Sequence, residues 1–190
     1  EADDETMLME EESVVLYGTM PLNWLGYKAE YLDARDTLPE YPLTGRYAGS
    51  VIWLQKPLPA AKGGRLAEWM RKQAAAGFPI LVLGNMDFLR NAGALQELGL
   101  QREDLERPAR RLRLVKEAEI IGFETRPIPD RSSFFPLTIA SGTPLAVVED
   151  DRGRQQVAAA ITPWGGYALS PFAVFTLPGE TGDRWVIDPF

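Results

Sequence analysis

Two short, uninterrupted apolar runs bracket an amphipathic stretch, and no other feature restricts the fold of this chain so tightly. The runs are Val51-Ile52-Trp53-Leu54 and Ile80-Leu81-Val82-Leu83-Gly84. Between them Leu66, Trp69, Met70, Gln73 and Ala74 recur at helical spacing, which predicts a helix over residues 64–76 with one apolar face. Gly77 stops it and Pro79 lies just beyond. Runs of four or five apolar residues with no alternation are the pattern of strands buried on both faces, as in a parallel sheet. Strand, helix and strand thus form a right-handed crossover unit of about thirty residues. Trp53 and Trp69 are expected to face the same core layer.

The rest of the chain is read around that unit. Val14-Val15-Leu16-Tyr17, closed by Gly18, predicts an earlier buried strand, and residues 29–32 a second. Residues 33–45 are rich in Pro, Asp and Thr and read as loop. Residues 88–98 predict a helix interrupted at Gly93. Residues 101–116 are charge-dense, with a helix start near Glu103 and a strand from Arg111. Ile120-Ile121-Gly122-Phe123-Glu124 is a further strand. Residues 145–149 and 156–161, joined by Asp150-Asp151-Arg152-Gly153-Arg154, give a hairpin. Pro163-Trp164-Gly165-Gly166-Tyr167 turns the chain into Ala168-Leu169, and residues 173–177 and 185–187 are final short strands. Residues 1–12 hold seven acids and no base, the composition of a solvated linker. The expectation is an acidic linker over 1–12 and a single α/β domain over 13–190. Its sheet is mainly parallel and flanked by helices, flavodoxin-like or amidotransferase-like, with antiparallel strands added in the C-terminal third.

Composition narrows the chemistry. The 190 residues include no histidine and no cysteine. Ser-His-Asp and Cys-His nucleophilic systems, thiolate redox centres and His/Cys zinc sites are therefore absent. The expectation is no catalytic residue, no metal and no cofactor. A net charge of -7 argues against nucleic acid as partner. No apolar run approaches the 18 or so residues that span a bilayer. With no initiator Met and no signal peptide, the chain is expected to be a segment of a longer protein.

Three places could still carry chemistry. At Leu83-Gly84-Asn85-Met86-Asp87 the chain turns from strand to helix, where α/β folds place ligands and nucleophiles. The turn resembles the Gly-x-Cys-x-Gly elbow of class I glutamine amidotransferases. Gly84 matches the first glycine, Met86 stands at the cysteine position and Phe88 at the last glycine. The alternative is a simple helix start with Asp87 as N-cap. The crevice beyond the strand ends would have Thr19, Gln55, Asn85, Asp87 and Trp164 as its floor. In Pro163-Trp164-Gly165-Gly166-Tyr167, the rings of Trp164 and Tyr167 could stack on a sugar; equally, Trp164 could plug the sheet while the glycines allow a tight turn. Acidic pairs such as Asp33 with Asp36 and Glu103 with Asp104 are numerous enough to arise by chance, and Asp150-Asp151 suits its hairpin turn. No Gly-x-Gly-x-x-Gly follows the first strand, and Pro21 removes an amide donor from Gly18-Thr19-Met20-Pro21.

Three strings together resemble the middle region of the PelA family, multidomain hydrolases and deacetylases of bacterial Pel exopolysaccharide assembly. They are Ile121-Gly122-Phe123-Glu124, Thr162-Pro163-Trp164-Gly165-Gly166-Tyr167-Ala168-Leu169 and Arg184-Trp185-Val186-Ile187-Asp188-Pro189-Phe190. The resemblance spans residues 13–190 and is strongest after 118. It implies a periplasmic, non-catalytic segment between a hydrolase domain and a deacetylase domain. Its implied partners are those two domains, a Pel assembly protein or the polysaccharide. The family's catalytic and metal-binding residues lie outside the matched strings, so none is carried over. The rival expectation is a small-ligand or saccharide-binding or enzymatic domain that uses the strand-end crevice.

Overall fold

The computed structural model describes residues 15–34, 37–54, 57–91, 93–115, 127–130 and 132–169. The chain divides into two compact units, one up to Asp36 and one from Thr37. The linker expected over 1–12, the strand at 120–124 and the strands at 173–177 and 185–187 lie outside the described residues.

In the N-terminal unit, a π-helical turn over Val15–Thr19 runs directly into a short helix α1, Met20–Trp24. The strand expected at residues 14–17 is therefore not found where it is described. Pro21 stands in the first turn of α1, where a missing N–H costs nothing. Gly26, at φ +86°, closes the helix: its amide donates to Asn23 O at 2.9 Å and the Tyr27 amide to Leu22 O at 2.9 Å. Residues 29–32, also expected as a strand, are irregular.

The second unit contains the crossover unit: β1 Ser50–Leu54, α2 Ala60–Ala75 and β2 Ile80–Gly84, with β1 and β2 parallel and paired Ser50 to Ile80 through Leu54 to Gly84. α2 begins four residues before the expected start, just after Pro59. Gly63 is accommodated because a Cβ there would stand 3.2 Å from the Phe88 Cβ, so the glycine permits close approach. Two short helices follow, α3 Asp87–Asn91 and α4 Ala94–Glu97, separated by Gly93 in the left-handed region. The remaining strands are β3 Leu100–Arg102, β4 Arg107–Leu114, β5 Ile128–Pro129, β6 Ser133–Phe134, β7 Leu137–Ile139, β8 Thr143–Asp150, β9 Gln155–Thr162 and β10 Gly165–Leu169.

The sheet order is β1-β2-β10-β9-β8-β4-β5, with β3, β6 and β7 off this path. Two of the strand pairings, β1 with β2 and β2 with β10, are parallel; every other described pairing between these strands is antiparallel. The sheet is therefore mixed and mostly antiparallel. The mainly parallel, flavodoxin-like or amidotransferase-like sheet expected from the apolar runs is overturned. An apolar run reports burial on two faces and does not report the direction of the neighbouring strand. The antiparallel strands are the body of the sheet: after the β8–β9 hairpin, β10 turns back beside β9 and inserts next to β2.

The core lies on one face. Ile52, Ile80, Val82, Tyr167 and Leu169 point inward beneath a helical layer that contributes Leu66, Met70 and Phe88, all buried. Trp69 is buried in that layer and donates from Nε1 to Pro39 O at 3.0 Å. Trp53 does not share it. Period-two alternation in β1 turns Ile52 inward and Trp53, half-buried, to the opposite face. Among the described residues no helix is long and apolar enough to cross a membrane.

Candidate functional site

The turn after β2 shows how the expected elbow is built. Gly84 has φ +104°, and a Cβ there would stand 2.1 Å from Leu54 O, so only glycine fits beside the end of β1. The next amide, Asn85 N–H, donates to the same Leu54 O at 2.7 Å. Asn85 then uses its side chain on the start of α3: Oδ1 accepts from the Asp87 amide at 2.9 Å. The capping residue is thus Asn85, and not Asp87 as expected. Met86, at the position the amidotransferase elbow gives to cysteine, is buried at 8% exposure.

Asp87 has a different partner. Its Oδ1 accepts from Arg102 Nη1, and its Oδ2 lies 3.3 Å from Asn85 Nδ2. Arg102 is 9% exposed, and its guanidinium lies over the Phe135 ring, 3.9 Å from the centroid. A planar cation between a carboxylate and a ring face is a stable arrangement for arginine. Sequence reasoning placed Arg102 only in a charge-dense stretch and missed this role. Its partners stand 15 residues before it and 33 after it, and no local spacing reports them.

Arg102 also borders an open depression of about 390 Å³, with Arg90, Gln96, Gln101 and Asp104 on its rim and Leu95 and Leu100 at its apolar part. Arg90 and Asp104 pair across it at 3.4 Å. The inventory is guanidinium, amide and carboxylate over an apolar patch. It can hydrogen-bond a polar ligand and offers no nucleophile. Among the described residues no group of three or more acids is gathered as a metal site requires.

The other expected site residues are dispersed. Gln55 lies outside the described residues. Thr19 belongs to the N-terminal unit, where its Oγ1 accepts from the Tyr31 hydroxyl at 2.6 Å. Trp164 adjoins the amino end of β2, since its carbonyl accepts from the Ile80 amide at 2.8 Å. Asn85 follows the carboxyl end, so the two are separated by a strand length of about 15 Å. Trp164 is buried and donates from Nε1 to Leu98 O at 2.9 Å. Tyr167 pairs with Val82 in mid-strand and is 1% exposed. Neither ring offers a face to a sugar. Burial drives the Tyr167 phenol far above its ordinary range, and among the described residues its hydroxyl has no hydrogen-bond partner.

No protein-family model matches the chain, and no curated protein matches it in sequence. Among solved structures it is similar to a cold-adapted β-galactosidase from Rahnella sp. R3, with TM-score 0.52 and 14% identity. The likeness covers 88% of this chain and 25% of that one, so this chain spans about a quarter of that enzyme's length. At that identity the likeness is one of fold: an arrangement of this kind occurs as one part of a longer chain.

Proposed function

We propose that this chain is a non-catalytic interaction and spacing module of a modular, periplasmic exopolysaccharide-modifying protein of the Pel type. Its role is to hold hydrolase and deacetylase domains in place and to meet an assembly protein or the polymer. One observation carries the reading: the strand-end turn is closed upon itself. Met86 fills the nucleophile position and is buried, Asn85 is used to cap α3, and Asp87 is ion-paired with Arg102, whose side chain is 9% exposed. With no histidine or cysteine in the chain, the turn lacks the thiol nucleophile and imidazole base of acyl-transfer elbows. The likeness to a quarter of a longer enzyme supports the modular part of the reading.

The test is turnover. Purified chain is expected to release nothing above background from glutamine, an acetylated aminosugar or an aryl glycoside. Turnover that disappears in Asp87→Asn would overturn the proposal. The open depression beside Arg102 favours a second reading, a receptor for a small polar ligand or saccharide. Saturable binding of an aminosugar oligomer, abolished by Gln96→Ala with Gln101→Ala, would establish that reading.

A further inference from the structure

β1 and β2 are apolar on both faces, yet the described structure covers one. The inward side chains Ile52 and Val82 are at most 7% exposed, whereas Val51 is 38% and Leu81 37% exposed on the outer face, with Ile161 of β9 at 41%. Register sets these in a single row across four strands, Val51 beside Leu81, Leu81 beside Gly166 and Gly166 beside Ile161. The next outward row is Trp53, Leu83, Ala168 and Ala159. Small residues on β10 and β9 therefore lie between Leu81 and Leu83 on one side and Ile161 on the other, which makes a shallow trough over the β10–β9 pair that continues along β9.

The trough has a charged end. Beyond Ala159, the outward residues are Val157, Val147 and Arg113, and after them Gln155, Glu149 and Arg111, again matched by register. The Arg113 guanidinium reaches over β8 to Gln155 Oε1 at 3.4 Å. Arg111 and Arg113 border one small depression with Glu149, so two cations stand there against one anion.

Parallel strands that are apolar on both faces occur where both faces are covered, and contiguous apolar side chains facing water mark an interaction surface. We propose that this outer face docks an amphipathic helix of a partner polypeptide, apolar along the trough and acidic at the end that meets Arg111 and Arg113. A sheet face has no free backbone groups to pair with a strand, whereas a helix buries its apolar stripe against one. Four rows two residues apart extend about 20 Å, the length of a helix of about 14 residues. The inference deepens the interaction role proposed above. The two fail separately: turnover would remove the non-catalytic reading and leave this surface, whereas loss of helix binding would remove the surface alone.

The probes are two synthetic helical peptides of about 14 residues with the same leucine stripe, one ending in glutamates and one in lysines. Each is labelled and titrated by anisotropy against the full chain. The glutamate-ended peptide should bind saturably and about tenfold more tightly than the other. Ile161→Lys should weaken it by about tenfold with no loss of melting temperature, and Leu81→Lys should do the same. Arg111→Glu with Arg113→Glu should reverse the preference between the peptides. Equal affinities, no saturable binding, or indifference to Ile161→Lys would overturn the proposal. A fall in melting temperature of more than about 4 °C in Ile161→Lys would show the face covered by this chain's own residues and overturn it also. So would a dimer in sedimentation that Ile161→Lys dissociates, since the occupant would then be a second copy.

Discussion

Asp150 ends β8 with no exposed side-chain surface, and every lone pair it presents is used. Oδ1 accepts from the amides of Arg152 and Arg154, both at 2.9 Å, and Oδ2 from Arg154 Nε at 2.8 Å and Nη2 at 2.7 Å. Burial alone would push the carboxyl up; the two amides and the guanidinium outweigh it and hold it below the usual aspartate range. A depressed folded value places the stabilisation above the unfolded pKa, and it is lost as pH falls from about 4 downward. Asp150→Asn should therefore melt lower than the native chain at pH 7, with the gap narrowing toward pH 3. A gap that stays constant across melts from pH 3 to 7 would contradict this. Tyr167 is the opposite case, a buried hydroxyl with no partner among the described residues. Tyr167→Phe removes an unsatisfied group and should leave stability unchanged or raise it by about 1 kcal/mol in urea unfolding. The sequence assigned Asp150-Asp151 to a turn. It did not reveal which acid turns inward, because that depends on the strand phase set by neighbours β4 and β9.

At the scale of elements, α2 holds the loop before β1 through two side chains. Trp69 donates to Pro39 O, and Gln73, 3% exposed, accepts from the Leu43 amide at 2.9 Å and donates to Tyr41 O at 2.9 Å. Trp69→Ala should cost about 3–5 kcal/mol by chemical denaturation. Gln73→Leu leaves two backbone groups without partners and should cost about 1–3 kcal/mol each way the loop fails to relax. Should either change cost less than about 0.5 kcal/mol, the loop is not fastened as described. β1, α2, β2 and the β8–β9 hairpin were legible because each carries its signal locally: an unbroken apolar run, a 3.6-residue stripe, two strand-like runs joined through glycine. β3, β5, β6 and β7 were not. Strands of two or three residues have no period to read, and their pairings join residues tens of positions apart. The turn after β2 divides likewise: the positions of Asn85 and Asp87 in it were readable locally, while Arg102 and Phe135 reach it only by folding.

For the molecule as a whole, the placement of β10 matters most. It is the last described strand in sequence, yet it stands in the middle of the sheet, parallel to β2 on one side and antiparallel to β9 on the other. Gly165 makes that insertion possible, since a Cβ there would stand 2.1 Å from Ile80 O. A chain ending at Thr162 should consequently fail to give a cooperative melt, even though it retains β1, α2, β2 and the whole β8–β9 hairpin. A sharp transition in that fragment would show that the two halves of the sheet are independently stable. The same geometry bears on synthesis. A ribosome adding about 5–20 residues per second leaves β2 without its second neighbour for about 4–17 s after Gly84 is made. Throughout that interval an apolar strand with one open edge is exposed to other nascent chains, a template for aggregation. The protein's yield in a cell will then depend on what shelters Ile80-Leu81-Val82-Leu83 before β10 emerges, and slower translation should lower it.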